Sequence, residues 1–399
     1  MGAPLEGVRV VEMATLIAGP TAGMLLAHLG ADVVKVERLA GDPGRELRSV
    51  RSGPDAWAPP FLAANVGKRS IAVDLARPEG RELVEDLIAA SDVVIDNARH
   101  GSLGRLGLDP DDVVARHPSL IWASVTGFGF DGPERERPAV DLIVQAEGGI
   151  MAATGDPDGE PMRTGFLLVD AVAAHVVSEG VLAALIGRGR HGRGDRIKVS
   201  LLDVAVQLQA ANMTEYLQTG VEPPRVGNSS PFSAPADALR TADGFVVLSA
   251  YLPHHWAALC RTIGRPELAT DARFATSPDR VAHRAELVDE LEATFRTRPS
   301  RAWVELLTPE GVMVGEVMTY ARLAEREQLA VNGTFLDAVT GGGAPFRTVA
   351  PPLSVAGASL AGRPVPLLGE HTAEVLAELG RTPAAVAHLV DTGVVSTPT

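Results

Sequence analysis

The feature that most constrains this chain is an alternation of short β-branched runs with Ala/Leu-rich stretches across its first 125 residues. Val8–Glu12, Asp32–Val36, Ser70–Asp74, Asp92–Ile95 and Leu120–Val125 are short runs dominated by Val and Ile, and read as strands. Ala22–Leu29 and Pro78–Ala90 lie between them and read as helices. The second has proline near its start and Leu83, Leu87 and Ile88 at helical spacing. Strands this apolar, joined through helices, belong in a parallel sheet covered on both faces. The expected fold is therefore α/β, with a Rossmann-like open sheet.

The second half changes character. Val169–Ile186 reads as a long helix, Ile197–Leu201 as a strand, and about four further helical turns run to Tyr216. Residues 219–240 are rich in Pro, Gly and Ser and read as a domain crossing or an active-site loop. A smaller α/β domain follows, with a strand at Phe245–Ala250 and helices over 253–264, 283–296 and 299–307. The tail carries short strands and one last helix at Glu370–Leu379. The expected division is a large domain over 1–220, a small domain over 221–325 and a C-terminal segment over 326–399.

Charge and cysteine content narrow the function. The chain has 36 basic and 50 acidic residues, a formal charge of −14, which argues against a general nucleic-acid or membrane-surface binder. A few local Arg or Lys side chains can still hold a phosphate. The single cysteine, Cys260, excludes an intrachain disulfide and a multi-cysteine metal site and fits a reducing compartment. The first residues show no basic-then-apolar leader, and the apolar stretches near 13–29 and 171–186 are interrupted by Gly19-Pro20, His28, His175 and Glu179. A cytoplasmic location is the expectation.

Individual motifs leave the chemistry open. Gly187, Gly189 and Gly192 spell a dinucleotide-type pattern, but it follows a helix and precedes a strand, the wrong order; it reads as a flexible turn. Ala18-Gly19-Pro20 follows the first strand, where backbone N–H groups can meet an anion. Arg38 ends the second strand and Asn97-Ala98-Arg99 ends the fourth, with Arg105 shortly after. Asp170 opens the long helix, where spacing alone favours an N-cap; its apolar neighbours would also desolvate it and make it a stronger nucleophile. His254-His255 has no third metal ligand at a convincing spacing, and Cys260 reads as core.

The ordered set of segments goes further. LEGVRVVEM, AGP and LGADVVKVER (5–38), Gly41-Asp42 with Arg45 (41–45), GKRSIAVDL (67–75), LVEDLIAASDVVIDN (83–97), GRLGL (104–108), GFGFDGP (127–133), GRGDRIKVSLLDV (192–204) and PLLGEHTAEVLAELG (366–380) run in one order over nearly the whole length. In this the chain resembles the family III CoA-transferases, which include formyl-CoA transferase. The resemblance implies an interlocked homodimer whose large domain combines both ends of the chain, so that the segment 326–399 returns to it. It implies an acyl-CoA and a small carboxylic acid as substrates, with no metal and no tightly bound cofactor. Carried over by position, Leu16, Ile17 and Ala18 would line the CoA thiol end, and Arg38 and Arg105 would contact phosphates. Val73 would border the adenine, Asn97 and Ala98 would lie beside the pantetheine, Asp170 would be the nucleophile and Asp141 a supporting carboxylate. Backbone N–H groups near Ile17 and at Gly227-Asn228-Ser229 would serve oxyanions.

Departures from the family pattern separate this chain from formyl-CoA transferase. Ala98 replaces an aromatic residue, Ala76 replaces a lysine, and Gly227-Asn228-Ser229-Ser230 stands where a glycine tetrad is usual. Residues near Phe232, Tyr251 and Met313 are apolar, consistent with acids larger than formate. Related racemases pair the nucleophile-equivalent aspartate with a histidine just before the position of Asp141. Val140 stands there and cannot transfer protons, which disfavours the isomerase alternative. A second alternative is a non-catalytic CoA-binding subunit of a hetero-oligomer; the presence of Asp170 argues against it.

Overall fold

The alternating runs form the expected elements in a computed structural model that describes residues 2–48, 50, 51, 53 and 56–398. Strands β1 (Arg9–Glu12), β2 (Asp32–Glu37), β3 (Arg69–Val73), β4 (Val93–Asp96), β5 (Ile121–Thr126) and β6 (Arg196–Ser200) pair in parallel. Helices α1 (Ala18–His28), α2 (Pro59–Asn65), α3 (Pro78–Ala89) and α4 (Pro110–Arg116) connect the first five strands. Then come α5 (Asp141–Glu147), the single turn α6 (Ile150–Ala153), α7 (Leu168–His191), α8 (Leu201–Leu208) and α9 (Ala210–Thr219). Proline opens α2, α3 and α4, where its missing N–H costs nothing.

The chain divides into two units. The first comprises Met1–Ile150, Arg163–Thr219 and Gln328–Thr399; the second comprises Met151–Met162 and Gly220–Glu327. Residues 151–162 thus group with the second unit, as a short excursion within the stretch that sequence assigned wholly to the large domain. The second unit holds an antiparallel sheet of β7 (Ala236–Arg240), β8 (Phe245–Ser249) and β9 (Met313–Glu316). Its core includes Trp256, Phe274, Phe295, Trp303 and the fully buried Cys260.

The tail returns to the first unit. There β10 (Phe335–Thr340), β11 (Pro345–Val349) and β12 (Pro364–Val365) form a small sheet, and β13 (Val395–Ser396) adds antiparallel to β3. The large sheet then runs β13-β3-β2-β1-β4-β5-β6. Glu378 from the tail pairs with Arg9 at 2.8 Å and with Arg69 at 2.7 Å. Arg69 also meets Asp32 at 2.5 Å. Apolar side chains cover both faces. Leu26 of α1 and Val177 of α7 pack on one face, and Leu87 of α3 and Leu376 of the tail pack on the other. Each such burial contributes about 1.5–3 kcal/mol.

Three local expectations need correction. The long helix runs five residues beyond Ile186, so Gly187 and Gly189 are helical rather than a turn. Gly192 closes it in the left-handed region, at φ 72°, where a side chain would be strained. The helix expected through Tyr216 is two helices, α8 and α9, broken at Gln209. The tail carries a second helix, Pro383–Asp391, after Thr372–Glu378. Pro383 is its first residue, a position where proline suits a helix.

Beneath the end of β1 lies a wholly buried charge cluster. Lys35 Nζ lies 2.8 Å from Glu12 and 2.8 Å from Asp42, and Lys68 Nζ lies 2.6 Å from Glu12; Lys35, Lys68, Glu12 and Asp42 all have side chains with 0% exposure. Burial alone would lower the Lys35 ammonium, but Glu12 and Asp42 hold it above its usual value. Burial dominates at Lys68 and brings it down to about 8. Removing one member leaves uncompensated charge in the interior. Lys35→Met is therefore expected to cost about 3–5 kcal/mol of stability, read as a fall in the urea midpoint. A loss below about 1 kcal/mol would mean that the carboxylates are not ionised in the fold.

Candidate active site

Sheet topology fixes where a ligand can sit. The strand order runs outward from β1 through β2 and β3, then restarts on the other side of β1 with β4. That reversal opens a crevice at the carboxyl ends of β1 and β4, the usual ligand position in an open α/β sheet. The predicted residues Leu16, Ile17 and Ala18 follow β1, Arg38 follows β2, Val73 ends β3, and Asn97 and Ala98 follow β4. All therefore lie along one edge of the sheet.

The structure joins some of them directly. Asn97 clamps the turn after β1: its Oδ1 accepts the Thr15 N–H at 2.9 Å, and its Nδ2 donates to the Thr15 carbonyl at 2.7 Å. The next N–H, of Leu16, donates to Asp42 Oδ1 at 3.1 Å. Leu16 sits at φ 68°, in the left-handed region, and is alone among the described non-glycine residues in doing so. That conformation costs a leucine about 1–2 kcal/mol and persists only where its surroundings over-determine it. Asp42 in turn is held by Lys35, so the buried charge cluster supports this turn.

Other predicted residues stand apart. Arg38 is exposed and donates to the Gly41 carbonyl at 3.4 Å. Arg105 is exposed in the short helix Gly104–Leu106. The Val73 side chain is buried in the core and directed at α3, so only its backbone end reaches the edge. Ala98 lines a polar cavity of about 220 Å³ together with Arg99, His100, Arg135, Ser124 and Lys198. Asp96 also lines it, and burial keeps its carboxyl above the ordinary range although Ser124 and Trp122 donate to it.

Asp141 and Asp170 are brought together by the start of α7. The N-cap position is Leu167, so Asp170 is the third residue of the helix and does not cap it. The cap comes from α5. Asp141, 2% exposed, accepts the Val169 N–H at 2.8 Å and the Asp170 N–H at 3.1 Å, both on Oδ2. Its Oδ1 accepts from Gln145 Nε2. Among the described residues no side chain or backbone group donates to the Asp170 carboxylate. Burial first, and the Asp141 charge second, push the Asp170 carboxyl up to about 7. The arrangement yields one carboxylate fully occupied in hydrogen bonding and one left without a donor among the described residues and largely buried.

Sequence reasoning missed Gln145, Lys35 and Lys68. Lys35 interrupts an otherwise apolar strand, a sign of a buried partner. Gln145 stands four residues after Asp141, on the same helix face.

Comparison with known proteins bears on this geometry. Residues 5–372 match the family model described as CoA-transferase family III. The chain is 38% identical over 386 residues to a probable fatty acyl-CoA transferase of Mycobacterium tuberculosis, covering 94% of this chain and 98% of that protein. It is 36% identical over 391 residues to a succinate–glutarate CoA-transferase of Agrobacterium fabrum, covering 94% of this chain and 96% of that protein. Among solved structures, it matches a CaiB/BaiF family protein from Brucella suis with a TM-score of 0.86 at 37% identity, covering 95% of this chain and 100% of that one.

The raised Asp170 carboxyl has a consequence for stability. The folded chain keeps this proton up to about pH 7, whereas an unfolded aspartate releases it near pH 4. Between those values the unfolded chain binds fewer protons, so stability falls as pH rises. Asp170→Asn is thus expected to stabilise the fold by about 1–3 kcal/mol at pH 8 and by almost nothing at pH 4, measured by urea denaturation. An equal effect at both pH values would show that the carboxyl is well hydrated.

Proposed function

The chain belongs to CoA-transferase family III, and on that premise we propose that Asp170 is the nucleophile through which it passes CoA from an acyl-CoA to a free carboxylic acid. The observation that carries this reading is the pairing at the start of α7. Asp141 takes the two helix N–H groups and leaves both Asp170 oxygens without a hydrogen-bond partner among the described residues.

The steps balance without metal or ATP. Asp170 attacks the thioester carbonyl, the C–S bond breaks, and an aspartyl–acyl anhydride and CoA thiolate result. The thiolate attacks the aspartyl carbonyl, releases the donor acid as its carboxylate and leaves an aspartyl-CoA thioester. The acceptor carboxylate attacks that thioester, forming a second anhydride and again CoA thiolate. The thiolate then attacks the acceptor's acyl carbonyl, which releases the new acyl-CoA and restores Asp170. The ionised form does this work, so the reaction runs fastest above pH about 7.

The rest of the edge supports a CoA seat. Arg38 and Arg105 are exposed and available to phosphates, and the cavity beside Ala98 gathers Arg99, Arg135 and Lys198. The turn after β1 offers the N–H groups of Ile17 and Ala18, for which no acceptor occurs among the described residues. Val140, before Asp141, is 53% exposed and carries no titratable group, which speaks against α-proton exchange.

A second copy of the chain completes the reading. Helix α7 is 24 residues long and, although His175 and Glu179 interrupt it, apolar enough by length and composition to cross a membrane; 33% of its most apolar stretch is buried. Ile186 on α7 and Leu217 on α9 are 59% and 74% exposed. An interlocked homodimer covers such a face. Light scattering of detergent-free protein is expected to give twice the chain mass at micromolar concentration. A monomer, or protein recovered only with vesicles, would refute this.

Asp170→Ala is expected to lower transfer by about 10⁴-fold or more while CoA binding changes less than about threefold. Hydroxylamine added during turnover, with succinyl-CoA or a fatty acyl-CoA as donor, should modify Asp170. Mass spectrometry that finds the label on another residue would overturn the assignment.

A further inference from the structure

Gln145 is the fully buried centre of a hydrogen-bonded cluster just ahead of the nucleophile helix. It holds three partners at once. Its Nε2 donates to Asp141 Oδ1 and, at 3.4 Å, to the Phe166 carbonyl. Its Oε1 accepts the Thr164 N–H at 3.0 Å and the Thr164 hydroxyl at 3.2 Å. The Thr164 hydroxyl also reaches the Phe166 carbonyl at 2.8 Å. On the far side of Asp141, Oδ2 holds the N–H groups of Val169 and Asp170.

This cluster occupies a weak point in the chain path. Residues 151–162 belong to the second unit, and the chain rejoins the first at Arg163. Five residues later α7 begins, and Asp170 is its third residue. No strand lies between Arg163 and Leu168 to hold that re-entry segment, and Leu167 offers no side-chain cap. The amide of Gln145 ties Thr164 and Phe166 to α5 and fixes the carboxylate that caps α7.

We propose that Gln145 is a positioning residue for CoA transfer: acting through Asp141 and the Thr164–Phe166 segment, it holds the first turn of α7 so that the Asp170 carboxylate meets the thioester. This rests on the assignment of Asp170 as nucleophile. At neutral pH only an amide fits the role. A carboxylate at 145 would accept from Thr164 but could not donate to Asp141, and two like charges would face each other. A protonated carboxylic acid, by contrast, has one donor and one acceptor and reproduces the bonds to Asp141 and Thr164, losing only the long one to the Phe166 carbonyl. The titratable side chains joined to this cluster are Asp141 directly and Asp170 through its backbone N–H.

Gln145→Glu and Gln145→Leu test the idea, with wild-type protein run in parallel. Gln145→Leu should reduce kcat about 10–100-fold at every pH while KM for acyl-CoA stays within about threefold. Gln145→Glu should show a similar deficit relative to wild type at pH 9 and regain most of it at pH 6, as the introduced carboxylate takes up a proton. Rates are expressed per hydroxylamine-trappable site, which removes any contribution from unfolded protein. Wild-type kcat in both variants, or a deficit in Gln145→Glu that is the same at pH 6 and pH 9, would overturn the proposal. If wild type itself forms no adduct on Asp170, the nucleophile assignment fails instead, and the two failures are told apart by that control.

Discussion

The carboxyl edge of the large sheet depends on four charges that no water reaches. Glu12, Lys35, Asp42 and Lys68 form two positive and two negative groups with 0% side-chain exposure. Their bonds reach every element around the turn after β1. Lys35 donates to the Ala14 carbonyl at 2.9 Å, and Lys68 donates to the Pro20 carbonyl at 2.7 Å and to Asn65 of α2 at 2.8 Å. Well-packed apolar residues often match a buried ion pair in stability, so stability alone does not explain such a cluster. What apolar residues cannot do is accept the Leu16 N–H from a fixed direction. Asp42 does so because Lys35 holds its other oxygen, and the leucine stays in a conformation it would otherwise leave.

The same logic separates the two aspartates at α7. Both are acidic residues in the first turn of a helix, the position that favours negative charge. Asp141 is surrounded by three donors, from Gln145, Val169 and Asp170, and spends its oxygens on structure. Asp170 receives none, and its burial against the Asp141 charge lifts its carboxyl toward neutrality. A helix cap supplied from another helix leaves the helix's own carboxylate without a hydrogen-bond donor among the described residues. A carboxyl raised by burial beside a second carboxylate is a recurrent signature of reactive sites.

Much of this is legible in the sequence, and the failures have identifiable causes. The strands of the large sheet are readable because period and apolarity agree over each run. The end of α7 is not, because Gly187 and Gly189 are poor helix formers held helical at the end of a long helix. Asp170 reads as an N-cap because capping is usually local; the cap comes from 29 residues upstream, which spacing cannot show. The roles proposed for Asp170 and Asp141 rest on the order of motifs rather than on any motif alone. Gln145 stays hidden because a buried glutamine has no pattern until its partners are known.

The chain path explains why the site needs such local fastening. The first unit is left at Ile150, rejoined at Arg163, left again at Thr219 and rejoined at Gln328. A helix placed five residues after a re-entry takes little guidance from the strand before it, since that strand, β5, ended at Thr126. Its direction is set by packing against α1, where Ser178 donates to the Ala22 carbonyl at 3.4 Å, but packing of small side chains leaves rotation and slide of the first turn weakly determined. Hydrogen bonds from a neighbouring element remove that freedom at little cost in burial. Asp141 and Gln145, one turn apart on α5, therefore do for the first turn of α7 what Asp42 and Asn97 do for the turn after β1. In both places a side chain from elsewhere in the sequence fixes backbone N–H groups that the local chain leaves unsatisfied.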